Sequence, residues 1–272
     1  MNKHTLPTLA LCAASLAAFA DEPAAAELEE EDNLPEVTLG ADYCTRQISR
    51  GPPDTPDPIL TLSAAIGWAG FSAEVDGIFN TTDIAEEDGF DAWDNTEVDT
   101  ILGYECTLDT DAVGGVTLGA DYTYEYDQGG DGESDHVSYL HASAGLDDVL
   151  LSPTVTGEWM LDGVHGQYYT FELSHEFELA DTLSLSLTLV EGLANDKYNE
   201  DDLGCDSWGF RETTLLAEFA WTPAEFFSLT PYIAYGDHLN GHFRHAAHYY
   251  ADEEASHHVA QLYGGVALEL AF

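Results

Sequence analysis

Acidic side chains recur at every second position along this 272-residue chain, on the side away from the apolar residues. They are Asp42, Glu74, Asp76, Asp99, Glu105, Asp121, Glu125, Glu158, Glu172, Glu176, Glu218 and Glu269. A narrow, water-filled space walled by carboxylates concentrates cations and repels anions. Arg46 and Arg50 share the parity of Asp42, so they belong to the same face. They suit either of two roles. One is to oppose carboxylates across a constriction; the other is to pair with them and hold the first strand in register.

Other groups suggest different chemistry. Asp237–His258 holds His238, His242, His245, His248, His257 and His258, six of the eleven histidines. His242, His245 and His248 are spaced by three, which would bring them together on one helical turn as ligands for Zn, Cu or Ni. The spacing matches no established zinc motif, and a solvated His-rich loop is the plainer expectation. Asp127, Asp131 and Asp135, and Glu200, Asp201, Asp202 and Asp206, are oxygen donors for Ca²⁺ without the spacing of an EF-hand. Two Ser–His combinations bear on an enzyme. Ser174 and His175 are strand neighbours that point to opposite faces, so they cannot form a dyad. Ser143 and His141 share a face, with no orienting acid evident in the sequence. No catalytic residue is assigned.

The elements that would carry these residues are strands. In the last sixteen residues, HHVAQLYGGVALELAF, apolar side chains return at every second position up to Phe272, a period that belongs to a strand. The same alternation runs from Val37 onward and is cleanest at Leu183, Leu185, Leu187 and Leu189 against Thr182, Ser184, Ser186 and Thr188. It is least clear from Asp135 to Leu146, where both faces are mixed. Pro231 interrupts one segment and calls for a bulge or an unpaired ladder position. About twelve strands are expected, many of the nine to eleven residues that a tilted bilayer crossing needs.

The connections alternate in length. Trp68–Phe71, Asp109–Gly115, Asp147–Ser152, Leu179–Thr182 and Thr222–Phe226 are short. Between them lie Gly51–Pro58, Thr81–Asn95, Asp127–Ser134, Asp162–His165, Glu191–Phe210 and Asp237–Ser256, mostly longer and rich in Asp, Gly and Asn. Short turns on one side and long loops on the other describe an outer-membrane barrel. Trp68, Phe71, Trp221, Phe226 and Phe272 gather at the short-turn rim. Tyr124, Tyr126, Trp159, Tyr169 and Tyr235 gather at the other, as two aromatic girdles. A soluble barrel with the apolar face inward is disfavoured, because twelve strands enclose too wide a space for side chains to fill.

Composition agrees. Six Lys and Arg stand against 52 Asp and Glu, a formal net charge of -46, yet 44% of residues are hydrophobic. The apolar content argues against disorder. The charge excludes a nucleic-acid partner and is compatible with a saline habitat, where screening tolerates dense carboxylates. Residues 1–20 read as a signal peptide: MNKH, the apolar run LPTLALCAASLAAFA, and cleavage after Ala18-Phe19-Ala20. Residues 21–36 read as an acidic periplasmic leader and 37–272 as the barrel. Cleavage would discard Cys12. Cys44, Cys106 and Cys205 remain, an odd number expected to be free thiols. No later run is long enough for a membrane helix.

Three segments, VTLGADYCTRQISRG, LLSPTVTGEW with the following YYTFELSHEFEL, and YGGVALELAF, together with this layout, resemble the TorF-like group of Gram-negative outer-membrane porins. The resemblance implies an all-β, transmembrane, antiparallel up-and-down barrel in the outer membrane. It implies porin activity, the passive diffusion of small solutes. The residues themselves lead to the expectation of no enzymatic activity, a phospholipase included, and of no cofactor. The ending also resembles the signal read by the barrel-assembly machinery, so that machinery and outer-membrane lipid are the expected partners. An acidic lumen would favour cations or neutral solutes. The alternative is a closed structural or surface-recognition barrel whose external loops bind Ca²⁺, a transition metal or another ligand.

Overall fold

The computed structural model describes residues 34–45, 47–48, 53–55, 58–82, 92–110, 114–128, 134–147, 149–163, 165–203, 206–237 and 260–272. Residues 1–20, most of the 21–36 leader, Arg46, Arg50, Asp131, Cys205 and the histidines from His238 to His258, including His242, His245 and His248, lie outside the described residues.

The strands in chain order are β1 (Glu36–Cys44), β2 (Gln47–Ile48), β3 (Pro53–Thr55), β4 (Ile59–Trp68), β5 (Phe71–Asn80), β6 (Asn95–Thr110) and β7 (Gly114–Gln128). They continue with β8 (Ser134–Leu146), β9 (Thr154–Met160), β10 (Gln167–Ala180), β11 (Leu183–Ala194), β12 (Gly209–Ala224), β13 (Phe227–Asp237) and β14 (Ala260–Ala271). One helix, α1 (Asp196–Leu203), lies between β11 and β12. Twelve strands close into an antiparallel barrel in the order β1-β4-β5-β6-β7-β8-β9-β10-β11-β12-β13-β14, and β2 pairs with β3 in a separate hairpin. The expected twelve-stranded up-and-down barrel is therefore what the chain forms.

Closure joins the two ends of the described chain. Leu39 stands opposite Leu270 and Cys44 opposite Gly265. The Phe272 amide donates to the Val37 carbonyl at 2.9 Å, and the Val37 amide donates to the Phe272 carbonyl at 3.1 Å. No backbone edge is left between these strands, which is what a bilayer demands of a sheet.

Alternation decides which way each face turns. Leu39, Leu62, Ile66, Val75, Leu187, Leu215 and Ile233 are all exposed. A water-soluble barrel would bury such a surface; here it is the outer face. Trp68, Phe71, Trp221, Phe226 and Phe272 are exposed at the short-turn rim, and Tyr124, Tyr126, Trp208 and Tyr235 toward the other. Trp159 meets Tyr169 edge-on at 6.1 Å, over Gly157. Among the described residues, no helix is long and apolar enough to cross a membrane.

A two-residue turn joins β4 to β5. Ala69 and Gly70 both have positive φ, 52° and 83°, the twist that matches a two-residue hairpin. A Cβ on Gly70 would strike the Glu105 carbonyl oxygen, and the Gly70 carbonyl accepts from the Glu105 amide at 2.8 Å. Gly70→Val is expected to cost about 2 kcal/mol or more through backbone strain and this collision. Urea unfolding of the refolded barrel reads the effect, and an unchanged midpoint would contradict it.

Pro231 pairs regularly with Val266 on β14, but the pairing of β12 with β13 lapses between Glu218–Tyr232 and Trp221–Leu229. The missing N–H of Pro231 falls in that gap, an unpaired ladder position.

Two connections differ from expectation. The Asp127–Ser134 loop is shorter, because β7 runs to Gln128 and β8 starts at Ser134. Asp127 and Asp135 are therefore directly opposed strand residues, and Asp131 between them lies outside the described residues. The Glu191–Phe210 loop carries more structure. β11 continues to Ala194, α1 follows, and Glu200, Asp201 and Asp202 lie on that helix.

Candidate functional site

Strand register stacks the inner-face residues into rows. Asp76 on β5 stands opposite Asp99 on β6, which stands opposite Glu125 on β7. In the neighbouring row Glu97 faces Asp127, and Asp127 faces Asp135 on β8. Carboxylate oxygens of Glu97, Asp99 and Glu125 all lie within 4.8 Å of one another. Like charges directly opposed on a sheet destabilise it.

A third row has a different character. Asp121, His141, Glu158 and Tyr168 follow one another on β7, β8, β9 and β10. His141 Nδ1 lies 2.6 Å from Asp121 Oδ1, and Nε2 lies 3.1 Å from Glu158 Oε2. Ionised carboxylates only accept, so two such partners require the ring to carry both protons. The Tyr139 ring stacks on His141 at 6.1 Å. This clasp ties three adjacent strands together.

The remaining acidic residues are distributed around the inner face. Asp42 Oδ2 accepts from the Tyr232 hydroxyl at 3.1 Å. Glu74 lies opposite Ile101, Glu105 opposite Gly119, and Glu172 opposite Thr154. Glu176 accepts from Ser184 Oγ at 3.1 Å. Glu218 lies between Ser186 and Tyr232, and Glu269 between Ser228 and Gly40. Sequence reasoning missed Glu97, Asp127, Asp135 and Glu212 as inner-face groups. Extending the alternation past the assumed strand ends would have found the first two; Asp135 lay in the segment whose faces were mixed.

Two tyrosines bridge across glycines. Tyr168 on β10 passes over Gly192 on β11 and donates to Glu212 on β12. Tyr232 on β13 passes over Gly265 on β14 to reach Asp42 on β1. A Cβ on either glycine would collide with the tyrosine hydroxyl. Gly265→Leu is thus expected to displace Tyr232, break its bond to Asp42 and lower the temperature at which the barrel loses its compact gel mobility. Retention of the wild-type temperature would contradict this reading.

Exposure along the inner face falls from the short-turn end to the other. On β10, Glu178 and Glu176 are exposed, Glu172 is half-buried, and Tyr168 is 3% exposed. On β5, Ser72 is exposed, Asp76 half-buried and Asn80 2% exposed. The lumen is therefore open below and crowded above. Cys44, Ile59 and Ile78 pack with Tyr232 and Tyr263 on one side, and Tyr168, Ala194, Tyr198 and Met160 pack on another.

Neither Ser–His combination makes a nucleophile. Ser174 Oγ sits 3.0 Å from Thr188 Oγ1 on the inner face, while His175 stacks edge-on with Phe177 on the outer. Both nitrogens of His141 are engaged by carboxylates, which leaves none for Ser143.

No family model and no curated protein matches this sequence. Solved structures do. The NanC porin is 10% identical with a TM-score of 0.51, over 86% of this chain and 98% of that one. The two share the fold of a closed β-barrel. The KdgM porin in complex with disordered oligogalacturonate is 8% identical (TM-score 0.49, 86% and 99% covered). The translocator domain of autotransporter NalP from Neisseria meningitidis is 10% identical (TM-score 0.42, 98% and 97% covered). At these identities the likeness is one of fold.

Proposed function

We propose that this barrel is a passive diffusion channel of a Gram-negative outer membrane, with an acidic lumen that favours cations and neutral solutes. The observation that carries the reading is the Asp76–Asp99–Glu125 row beside Glu97, Asp127 and Asp135. A single-sign wall inside a narrow aqueous passage focuses its field along the axis and makes cations the preferred ions. Asp42, Glu74, Glu105, Asp121, Glu158, Glu172, Glu176, Glu218 and Glu269 extend the same wall. The resemblance to the TorF-like group, and porin barrels among the solved structures of like fold, support the class. The separation of Ser174 from His175, and the occupied nitrogens of His141, support a non-enzymatic role.

Crowding of the upper lumen by Tyr139, Tyr168 and Ala194, all under 5% exposed, favours a second reading, a closed barrel acting through its external loops. Swelling of liposomes carrying the refolded protein separates the two. Neutral sugars of small size are expected to enter and cause swelling. Liposomes that respond no differently from protein-free controls would overturn the channel.

A further inference from the structure

The connection from β11 to β12 turns inward at the crowded end of the barrel. Asn195 caps α1, its Oδ1 accepting from the Tyr198 amide at 2.8 Å. The same oxygen accepts from the Gln167 amide at 3.1 Å, and the Asn195 amide donates to the Gln167 carbonyl at 3.0 Å. Asn199 Nδ2 donates to the Ser207 carbonyl at 2.8 Å, which ties the far end of the connection to the helix. Tyr198, 5% exposed, packs on Tyr168 with ring centroids 5.4 Å apart, and Met160 completes the contact. Tyr168 and Met160 are inner-face residues, so α1 is held against the inside of the wall. The Arg211 guanidinium lies 5.5 Å from the Tyr198 ring centre and adds a cation–π contact.

Position around the barrel gives this helix its consequence. Five strands lie between β12 and β6 in either direction around the ring of twelve, so the two stand opposite each other. Arg211 is the third residue of β12, and Glu97 is the third residue of β6. With strands about 4.8 Å apart and tilted about 40°, the backbone circle is roughly 24 Å across. Inward side chains of roughly 6 Å on each wall halve that opening. A helix packed inside the β10–β12 side narrows it further, toward the Glu97 and Asp99 wall.

We propose that α1 is a fixed constriction of the outer mouth, anchored by Asn195, Tyr198 and Asn199, that limits solute size and brings cations close to the acidic wall. This rests on the channel reading. Two variants of the full chain test it in planar bilayers, with compact gel mobility confirming that each barrel is folded. In the first, residues Asp196–Leu203 are replaced by Gly-Ser-Gly. In the second, Tyr198→Ala keeps the helix but removes its anchor. The first is expected to conduct about 1.5-fold more than wild type and to admit larger sugars, as pore diameter sets passage. The second is expected to flicker between two current levels. A silent wild type with a conducting helix-replaced variant would overturn the constriction, because the helix would then close the pore and not narrow it. Equal, steady currents in all three proteins would overturn it alone. Silence in all three folded proteins would overturn the channel reading, and this proposal with it.

Discussion

Neutralising the Asp76–Asp99–Glu125 row, as Asp76→Asn, Asp99→Asn and Glu125→Gln together, is expected to lower the potassium-to-chloride permeability ratio about threefold at 0.1 M salt. A cation passing about 5 Å from one carboxylate gains roughly 0.8 kcal/mol even at the dielectric of bulk water. Three opposed carboxylates on adjacent strands act on the same ion. The amides keep the shape of the wall and remove only its charge. At 1 M salt, where the screening length falls to about 3 Å, the difference should largely vanish. The triple variant should also be at least as stable as wild type, because like charges no longer face each other across the sheet. Reversal potentials and urea unfolding measure the two effects. An unchanged ratio would remove the row from selectivity, and a marked loss of stability would assign it a structural role instead.

His141→Ala is expected to destabilise the barrel by about 3 kcal/mol, within the range for removing one partner of a buried charge pair. Glu158, 6% exposed, would keep a carboxylate without its imidazole. Asp121, whose side chain is 37% exposed, can rehydrate and contributes less. The double variant His141→Ala with Glu158→Gln should recover most of the loss, since the buried carboxylate that faced the imidazole is then neutral. Unfolding in urea followed by tryptophan fluorescence measures both. A loss in His141→Ala that the second substitution leaves unrepaired would mean that packing against Tyr139, and not charge, holds this site.

Alternation made most of the barrel legible, because outward and inward residues differ so sharply in polarity. β11 was transparent for that reason, with Leu185, Leu187 and Leu189 outward and Ser184, Ser186 and Thr188 inward. β8 was obscure because its outward Ser138 accepts from the Tyr122 hydroxyl, while its inward Tyr139 is buried against the ring of half-buried His141. Glu97 and Asp127 were passed over because their strands run beyond the expected ends, and Asp135 because the faces of its segment are mixed. α1 left no apolar stripe to read, since DKYNEDDL contributes little besides Tyr198 to bury. Its helix depends on the Asn195 cap and on contacts from distant strands. The clasp at His141 and the tyrosine bridges over Gly192 and Gly265 depend on register between strands, which spacing along one strand does not encode.

The reversal potential of the wild-type protein in a planar bilayer, under a tenfold gradient of potassium chloride at low ionic strength, tests the central claim most directly. An acidic lumen predicts a conducting pore whose reversal potential takes the sign of the potassium gradient and shrinks as salt is raised on both sides. A pore reversing near zero or with the sign of chloride, or a folded barrel that passes no current, would contradict it.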